Sequence, residues 1–249
     1  MKQKTLREDA HLREAEICRR RPHSVRECAL AHSFDRKVGK KMERIHVKVP
    51  GEQLQDREYM KQALALAEKG HGWVNPNPMV GAVLVKDGRI IGEGYHTRYG
   101  QLHAEREAFK NAAERGEETA GADLYVTLEP CCHTGKQPPC TEAVLASGVK
   151  RVIVGCTDPN PVVAGRGIRL LREKGLEVVA GVLRGECERQ NEVFFHFMRT
   201  KLPFTVLKYA MTLDGKTATV LGKSQWITGE AARKRVHEDR GRYMAILTG

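Results

Sequence analysis

The sequence contains no long apolar run and few aromatic residues. None of its 249 residues lie in a stretch approaching the roughly 18 consecutive apolar residues of a membrane-spanning helix, so an integral membrane protein is not expected. Aromatic residues make up 6% of the chain, and in its central part they are not interleaved with basic ones as in nucleic-acid-binding modules. Hydrophobic residues still account for 41%, which is enough for a buried core.

The chain also lacks a disulfide framework and a secretory signal. Its seven cysteines are odd in number and follow no small disulfide scaffold, which favours a reducing compartment. The N-terminal region has no apolar segment of the kind that a signal peptide needs, and it is not poor in acidic residues as transit peptides are. We therefore expect a cytoplasmic protein of one or two domains.

The net charge of +11 is concentrated at the N-terminus. Residues 1–50 contain 14 basic and 7 acidic residues, whereas the remaining 199 contain 28 and 24. A basic arm can bind nucleic acid through its phosphates. We expect instead that residues 1–53 form a disordered basic extension, with Met42 as a plausible true start and residues 1–41 as an upstream over-extension.

Three short motifs carry the chemistry: His103-Ala104-Glu105, Pro130-Cys131 and Cys140. One imidazole, two thiolates and a carboxylate that is not a ligand are the inventory of a zinc-dependent base deaminase. Zinc in a catalytic site takes three protein ligands and leaves a fourth position for water, whose pKa falls to about 7. We predict that His103, Cys131 and Cys140 hold the metal and that Glu105 moves the proton.

Two alternatives apply to these cysteines. Each could be a buried apolar thiol, which is common in protein cores. Cys132 could also replace Cys131 as the ligand, although Cys131 is the residue that follows the proline, as the deaminase motif requires. Generic base deaminases have two residues between their cysteines, whereas eight residues separate Cys131 from Cys140.

Apolar periodicity predicts an α/β protein. A helix is expected over residues 103–115, a strand over 123–128 and a helix from Pro139 to Ser147. Further helices are predicted from Asp56, as the N-cap, to Gly70, and over 168–174 and 186–198; further strands over 80–85, 90–94, 152–155 and 176–180; and a hairpin turn at Asp87-Gly88. Phe194, Phe195 and Phe197 are assigned to packing. Strands that alternate with helices imply a sheet covered on both faces, with the metal ligands at one edge.

Longer stretches resemble a known family. The run from Thr127 to Cys140 is similar to the deaminase domain of the bifunctional riboflavin-biosynthesis deaminase/reductase family, as are Asn77–Val83, Gly94–His96 and Asp158–Pro161 with Gly165–Gly167. The resemblance covers about residue 55 to the end. It implies a cytidine-deaminase-like three-layer α/β/α sandwich over residues 54–200. It also implies zinc as the cofactor, a homo-oligomer, and removal of the 2-amino group from 2,5-diamino-6-(5-phosphoribosylamino)pyrimidin-4(3H)-one.

The resemblance also implies a set of substrate contacts, namely Asn77, His96, His133, Lys136, Asp158 and Asn160. Lys136 offers a compact positive charge to the substrate phosphate, and Asn77 offers both donor and acceptor groups to a pyrimidine edge. The alternatives remain open, because the Asn-Pro and Asp-Pro dipeptides at these positions are also ordinary turn formers and His96 could be a surface residue at a strand end.

Residues 201–249 resemble the opening of the same family's reductase domain, which has a dihydrofolate-reductase-like fold. We predict strands at Phe204–Ala210 and Tyr243–Leu247. The resemblance implies that Ala210 and Trp226 contact NADPH and that Ser224 and Arg240 contact substrate, although Trp226 could be a simple core aromatic. About 46 residues are too few to bury a core, so NADPH-dependent reduction of the ribosyl group is expected of the full-length protein and not of this chain.

Three hypotheses follow. The first is a riboflavin-pathway pyrimidine deaminase. The second is a nucleoside, nucleotide or tRNA deaminase with the same zinc centre. The third, suggested by the positive charge, is a zinc-stabilised nucleic-acid-binding module, which would have no use for Glu105. A small phosphorylated pyrimidine is therefore the expected partner, and neither a membrane nor nucleic acid is.

Overall fold

A five-stranded sheet with helices on both faces organises the computed structural model, which describes residues 49–135, 137–161 and 163–248. Residues 1–48 of the predicted N-terminal extension and Lys136 lie outside these residues. Residues 49–53 of the extension are described, and the buried Glu52 carboxylate accepts a hydrogen bond from the Val49 N–H at 3.0 Å. The strands are β1 Gly81–Lys86, β2 Arg89–Tyr95, β3 Asp123–Leu128, β4 Arg151–Cys156 and β5 Glu177–Ala180. The helices are α1 Asp56–Glu68, α2 Ala104–Glu114, α3 Cys140–Ala146, α4 Arg166–Glu173, α5 Arg184–Gln190, α6 Glu192–Thr200 and α7 Glu230–Arg240.

The sheet is mixed, with strand order β2-β1-β3-β4-β5. β1 pairs antiparallel with both β2 and β3, while β3, β4 and β5 run parallel. The predicted hairpin turn joins β1 to β2, with Asp87 and Gly88 at φ values of 51° and 74°. Because the two parallel connections run through α3 and α4, the ends of β3 and β4 open at one edge of the sheet, where the site lies.

Alternating strand residues build one core on each face of the sheet. Leu124 and Val152 face a core that includes Ala108 of α2 and Leu171 of α4. Their neighbours Tyr125 and Ile153 face the opposite core, which α1, α5 and α6 cover. The period of two along each strand therefore produces the expected three layers.

Helix α2 lies unusually close to β2, and this approach places the residue that precedes the helix. A Cβ atom at Gly94 would lie 2.3 Å from the Ala108 nitrogen and 2.4 Å from the Ala104 oxygen. Only glycine allows such contact between a strand and a helix backbone. Gly94 thereby fixes the start of α2, and with it His103, against the sheet.

The prediction that Asp56 is the N-cap of α1 is wrong, because Gln55 occupies that position. The Asp56 carboxylate is fully buried and pairs with the Arg151 guanidinium at 3.2 Å. It also accepts hydrogen bonds from the Tyr125 hydroxyl at 2.8 Å and the Gln53 backbone at 2.7 Å. The side chain therefore links α1 to β3 and β4 in place of capping its own helix.

We expect Asp56→Ala to lower the free energy of unfolding by about 3 kcal/mol. The substitution leaves the buried Tyr125 hydroxyl without its acceptor and removes the fully buried partner of Arg151, which keeps Asp123 at 3.0 Å and Glu177 at 3.2 Å. Urea unfolding measures the change. Glu58→Ala is the control, since its pair with Lys61 is solvent-exposed and such pairs contribute at most about 1 kcal/mol. Equal losses for the two variants would contradict the assigned role.

The helix predicted over 186–198 is two helices, because Asn191 interrupts it. The Asn191 amide accepts a hydrogen bond from the Met79 nitrogen and donates one to the Met79 oxygen, both at 2.8 Å. This exchange holds the chain before β1 against the α5–α6 junction. Phe195 is buried as predicted, whereas Phe197 is 48% exposed and does not pack in the core.

The strands predicted at Phe204–Ala210 and Tyr243–Leu247 are absent, since α7 is the one helix or strand within the described residues 201–248. A strand needs a neighbour to satisfy its backbone groups, and no partner strand lies along these residues. Trp226 is 71% exposed and stacks on Arg233, so it is not a core aromatic. Across the described residues no helix is both long and apolar enough to cross a bilayer.

Candidate active site

Three side chains of the types that ligate metals meet where two helices begin. His103 is the N-cap of α2, Cys140 is the first residue of α3, and Cys131 lies in the loop after β3. His103 Nδ1 is 3.6 Å from Cys131 Sγ and 3.3 Å from Cys140 Sγ. The three candidate ligand atoms all lie within 4.8 Å of one another. The structure therefore brings together the three residues that the sequence predicts.

This spacing fits a zinc ion. With Zn–N bonds of about 2.0–2.1 Å and Zn–S bonds of about 2.3 Å, a nitrogen and a sulfur in a tetrahedral site lie about 3.6 Å apart. The two observed nitrogen–sulfur distances match that value within 0.3 Å. One imidazole and two thiols are also a donor set that zinc prefers over calcium or magnesium.

The two thiols share one proton in the absence of metal. The pKa of Cys131 is lowered to about 4, first because the Cys140 thiol donates a hydrogen bond to its thiolate. The pKa of Cys140 is raised by the same hydrogen bond and by burial. The backbone N–H of Cys140 also donates to Cys131 Sγ at 3.3 Å. A thiolate is thus available at neutral pH, as metal binding requires.

Cys132 is not part of this group. It is not among the three residues whose donor atoms converge, and partial burial raises its thiol pKa. Cys131 is held in place because its carbonyl accepts from the Thr141 N–H at 3.1 Å. The geometry therefore favours Cys131 over its neighbour as the ligand.

Glu105 lies two residues after His103, in the first turn of α2, and is 3% exposed. Burial raises its pKa, and the nearby Cys131 thiolate raises it further. The side chain lines the same cavity as His103 and Cys131 but is not one of the three converging donors. A carboxyl group with a raised pKa beside a metal site is suited to accept and return a proton.

A cavity of about 280 Å³ opens beside these residues. Five of the six substrate contacts implied by the family resemblance line it: Asn77, His96, His133, Asp158 and Asn160. The sixth, Lys136, is in the part of the chain that the structure does not describe. These five residues come from four separate segments of the chain, which the sequence pattern alone could not bring together.

His96 is a buried residue and not a surface one. Its Nδ1 lies 2.9 Å from the Leu102 carbonyl, which can only accept, so this nitrogen carries a proton. Its Nε2 lies 3.2 Å from the Asn77 amide. Burial lowers the imidazole pKa and the neighbouring His103 lowers it further, whereas the Leu102 bond acts in the opposite direction. His96 thus anchors Asn77 at the rim of the cavity.

Asp158 has a raised pKa of about 6, first because it is buried and also because Glu129 is near; the Asn160 N–H, which donates to it at 2.8 Å, opposes the shift. The folded protein therefore holds this proton up to about pH 6, whereas the unfolded chain releases it near its ordinary value of 3.8. The stabilisation that this proton contributes is fully present below pH 3.8 and is lost as the pH rises through about 6.

We therefore expect the stability of Asp158→Asn relative to wild type to increase with pH between about 4 and 6 and then to level off. Urea unfolding of both zinc-loaded proteins between pH 4.5 and 8 measures the difference. The same substitution at the exposed hairpin residue Asp87 is the control. A difference that stays constant or falls with pH would contradict the buried, protonated state.

Sequence reasoning missed several residues that line the cavity, and three of them bear on its chemistry. Phe194, which had been assigned to packing, lines the cavity together with Met198 of α6. Glu129 is 3% exposed and lines it from the end of β3. The signal for Glu129 was an acidic residue directly after an apolar strand and before the Pro-Cys pair. No local signal marked the two α6 residues.

The four residues that the resemblance assigns to a reductase site lie elsewhere. Ser224, Trp226 and Arg240 are exposed, and Ala210 is half-buried. None of them lines the cavity at His103. Their assignment to NADPH and substrate stays a prediction.

Comparison with known proteins places both segments of the chain. Residues 53–156 match the family described as the cytidine and deoxycytidylate deaminase zinc-binding region. Residues 203–249 match the RibD C-terminal domain. The order of the two matches is that expected from the sequence motifs.

Curated relatives agree over most of this chain. The riboflavin biosynthesis protein RibD of Actinobacillus pleuropneumoniae is 53% identical over 194 residues, which are 78% of this chain and 51% of the relative. RibD of Escherichia coli strain K12 is 49% identical over 195 residues, 78% of this chain and 52% of the relative. The chain spans about half the length of the curated relatives it matches.

Solved structures agree in fold. A diaminohydroxyphosphoribosylaminopyrimidine deaminase/5-amino-6-(5-phosphoribosylamino)uracil reductase from Thermotoga maritima has a TM-score of 0.73 and 52% identity, covering 76% of this chain and 54% of that one. Acinetobacter baumannii RibD has a TM-score of 0.70 and 47% identity, covering 75% and 52%. These matches confirm the predicted cytidine-deaminase-like α/β fold, and they show that the chain is similar to RibD riboflavin biosynthesis proteins in both of its matched segments.

Proposed function

We propose that this chain catalyses the hydrolytic deamination of 2,5-diamino-6-(5-phosphoribosylamino)pyrimidin-4(3H)-one. The observation that carries the proposal is the convergence of His103, Cys131 and Cys140 beside the buried Glu105, in a group of which His103, Cys131 and Glu105 line one cavity. Similarity to RibD proteins supports the pyrimidine substrate, and the donor set supports the reaction class.

The proposed mechanism assigns one role to each group. Zinc held by His103, Cys131 and Cys140 would supply a Lewis acid that makes water nucleophilic at neutral pH. Glu105 takes a proton from the attacking water and delivers it to the 2-amino nitrogen of the pyrimidine. A carbon–oxygen bond then replaces the carbon–nitrogen bond, and the nitrogen leaves as ammonia. Burial favours the proton on Glu105, which makes it a competent donor for the second transfer.

The cavity residues orient the substrate. Asn77 and Asn160 each offer a donor and an acceptor to the pyrimidine edge, and Asp158 accepts from an amino or hydroxyl group when ionised. We assign Lys136 and His133 to the phosphate side, since both are basic and Lys136 is a compact charge. Phe194 and Met198 form an apolar wall of the cavity, a surface on which a flat ring can pack.

Two other functions are weaker. A nucleoside, nucleotide or tRNA deaminase shares the zinc centre, but its motif has two residues between the cysteines where this chain has eight. A nucleic-acid-binding zinc module gives no reason for a buried carboxylate beside the metal ligands. We further propose a cytoplasmic location, because thiolate ligands need a reducing compartment. On the family resemblance alone we also propose a homo-oligomer and, for the full-length protein and not for this chain, NADPH-dependent reduction.

One assay separates the three functions. Ammonia release is measured with the zinc-loaded chain and the diaminopyrimidine phosphate, cytidine or tRNA as substrate. We expect ammonia from the diaminopyrimidine phosphate only. Release from cytidine or tRNA at a comparable rate would favour the second function, and no release from any of the three would favour a binding module.

A further inference from the structure

Glu129 makes an unusual set of contacts for a residue with no assigned role. Its side chain is 3% exposed at the end of β3, two residues before Cys131. Oε2 accepts from the backbone N–H of Asp158 at 3.1 Å and of Gly165 at 2.8 Å. Oε1 accepts from the backbone N–H of Ile168 at 3.2 Å. Both oxygens are therefore occupied by main-chain donors.

These three donors belong to one structural unit, the loop between β4 and α4 with the first turn of that helix. Asp158 lies near the start of the loop, Gly165 is the N-cap of α4, and Ile168 is in its first turn. Gly165 has no side chain with which to cap the helix. Glu129 supplies from another strand the oxygen that an N-cap side chain normally provides, and it also closes the loop.

The loop packs directly on the segment that carries Glu129. A Cβ atom at Gly167 would lie 2.2 Å from the Pro130 oxygen and 3.3 Å from Glu129 Oε1. The start of α4 therefore touches the backbone between Glu129 and the metal ligand Cys131. The loop cannot shift relative to that ligand without breaking these contacts.

The same loop carries two residues of the cavity. Asp158 and Asn160 both line it, and the Asn160 N–H donates to Asp158 Oδ1 at 2.8 Å. The position of both side chains relative to the metal ligands thus depends on where the loop is held. The Glu129 carboxylate accepts three hydrogen bonds from the backbone N–H groups of this loop and of the helix start, and hydrogen bonds to a carboxylate are stronger than those to a neutral acceptor.

We propose that Glu129 is a positioning residue, which fixes the position of the Asp158–Asn160 loop relative to the metal ligand Cys131. By holding the loop in place, Glu129 sets the affinity of the site for the pyrimidine. This inference rests on the function proposed above. Glu129 acts through the loop and not on the reacting atoms, because its oxygens are already bonded to backbone N–H groups. Its replacement should therefore weaken substrate binding more than the chemical step.

Glu129→Gln tests this with little change of shape. Because both oxygens accept, the amide must turn its NH₂ group toward at least one N–H donor. In zinc-loaded protein we expect KM to rise at least about tenfold, kcat to fall less than about threefold, and zinc to stay at one per chain. Glu142→Gln, at an exposed glutamate of α3, should leave both constants unchanged. Glu129→Asp keeps the charge but shortens the reach, so its KM should lie between those of Glu129→Gln and wild type.

A double-mutant cycle distinguishes positioning from general destabilisation. In an Asn160→Ala background, Glu129→Gln should raise KM much less than in wild type, because part of what it positions is gone. Full additivity, an unchanged KM, or a fall in kcat alone would each overturn the proposal. These outcomes apply to a wild type that turns over, so they leave the proposed function standing.

Hydrogen–deuterium exchange gives a readout that does not depend on the reaction. In Glu129→Gln, or in Glu129→Asp if the first variant does not fold, the amides of residues 158–168 should lose protection while those of α2 keep it. Unchanged protection of this segment would also overturn the proposal. A wild type that releases no ammonia but shows this loss of protection in the variant would sink the proposed function and leave the loop contact intact.

Discussion

Glu105→Gln should lower kcat for ammonia release by about 100- to 10,000-fold and leave one zinc ion bound per chain. The amide is almost the same size as the carboxyl group, so the packing around this 3%-exposed side chain is preserved. It cannot accept a proton from water or return one to the leaving nitrogen. Zinc stays because Glu105 is not one of the three converging ligands.

The rate of ammonia release is measured at steady state, and the zinc content per chain is measured by elemental mass spectrometry. Glu114→Gln is the control, since it makes the same chemical change at an exposed residue of the same helix. A variant that keeps more than about a tenth of wild-type kcat would remove Glu105 from the proton-transfer role. Loss of zinc from the variant would instead make Glu105 part of the metal site.

Cys140→Ser should release the metal and abolish ammonia production, whereas Cys132→Ser should do neither. A serine hydroxyl does not ionise at neutral pH, so only His103 and Cys131 would remain as ligands. We expect the zinc affinity to fall by more than the roughly 100-fold that loss of an outer hydrogen-bond partner costs. Cys140 is fully buried and adjacent to His103 Nδ1, whereas Cys132 is outside the converging group.

Competition with a chromophoric chelator gives the zinc affinity of each variant. Measuring Cys131→Ser beside Cys132→Ser also decides which of these two neighbouring cysteines is the metal ligand. Loss of zinc from Cys132→Ser but not from Cys131→Ser would exchange the assignment of the ligand. Tight zinc binding by Cys140→Ser would contradict the site as a whole.

Features set by neighbouring residues were predictable from the sequence. The strand predicted over residues 123–128 is β3 with the same bounds, and the hairpin turn is at Asp87-Gly88. The three residues that converge at the candidate metal site could be selected from the sequence because their chemical types and order are diagnostic even before their positions are known. Strand alternation and turn residues act over a few positions, so a single sequence contains them in full.

Features set by distant partners were not predictable. Asp56 looks like a helix cap, but its partner Arg151 is 95 residues away. Asn191 breaks a continuous helical pattern because it bonds to Met79, 112 residues earlier. Glu129 has the same character, since its three donors lie beyond the next strand. In each case a polar side chain bonds to a distant backbone group or charged side chain, which the local sequence pattern does not show.

The C-terminal segment shows the opposite error. Phe204–Ala210 has the composition of a strand, and the family match at residues 203–249 supports the resemblance that suggested it. The structure forms no strand there, and Leu207 is 82% exposed. Composition shows that a segment is compatible with a β-strand, whereas pairing with a neighbouring strand and burial of its side chains decide whether the strand forms.

The most direct test of the metal-and-glutamate site is the rate of ammonia release from the diaminopyrimidine phosphate as zinc is titrated into chelator-treated protein. We predict that the rate rises in proportion to bound zinc and levels off at one ion per chain, and that Glu105→Gln binds the ion without gaining activity. An undiminished rate in the metal-free protein, or no ammonia from the zinc-saturated wild type, would contradict this assignment.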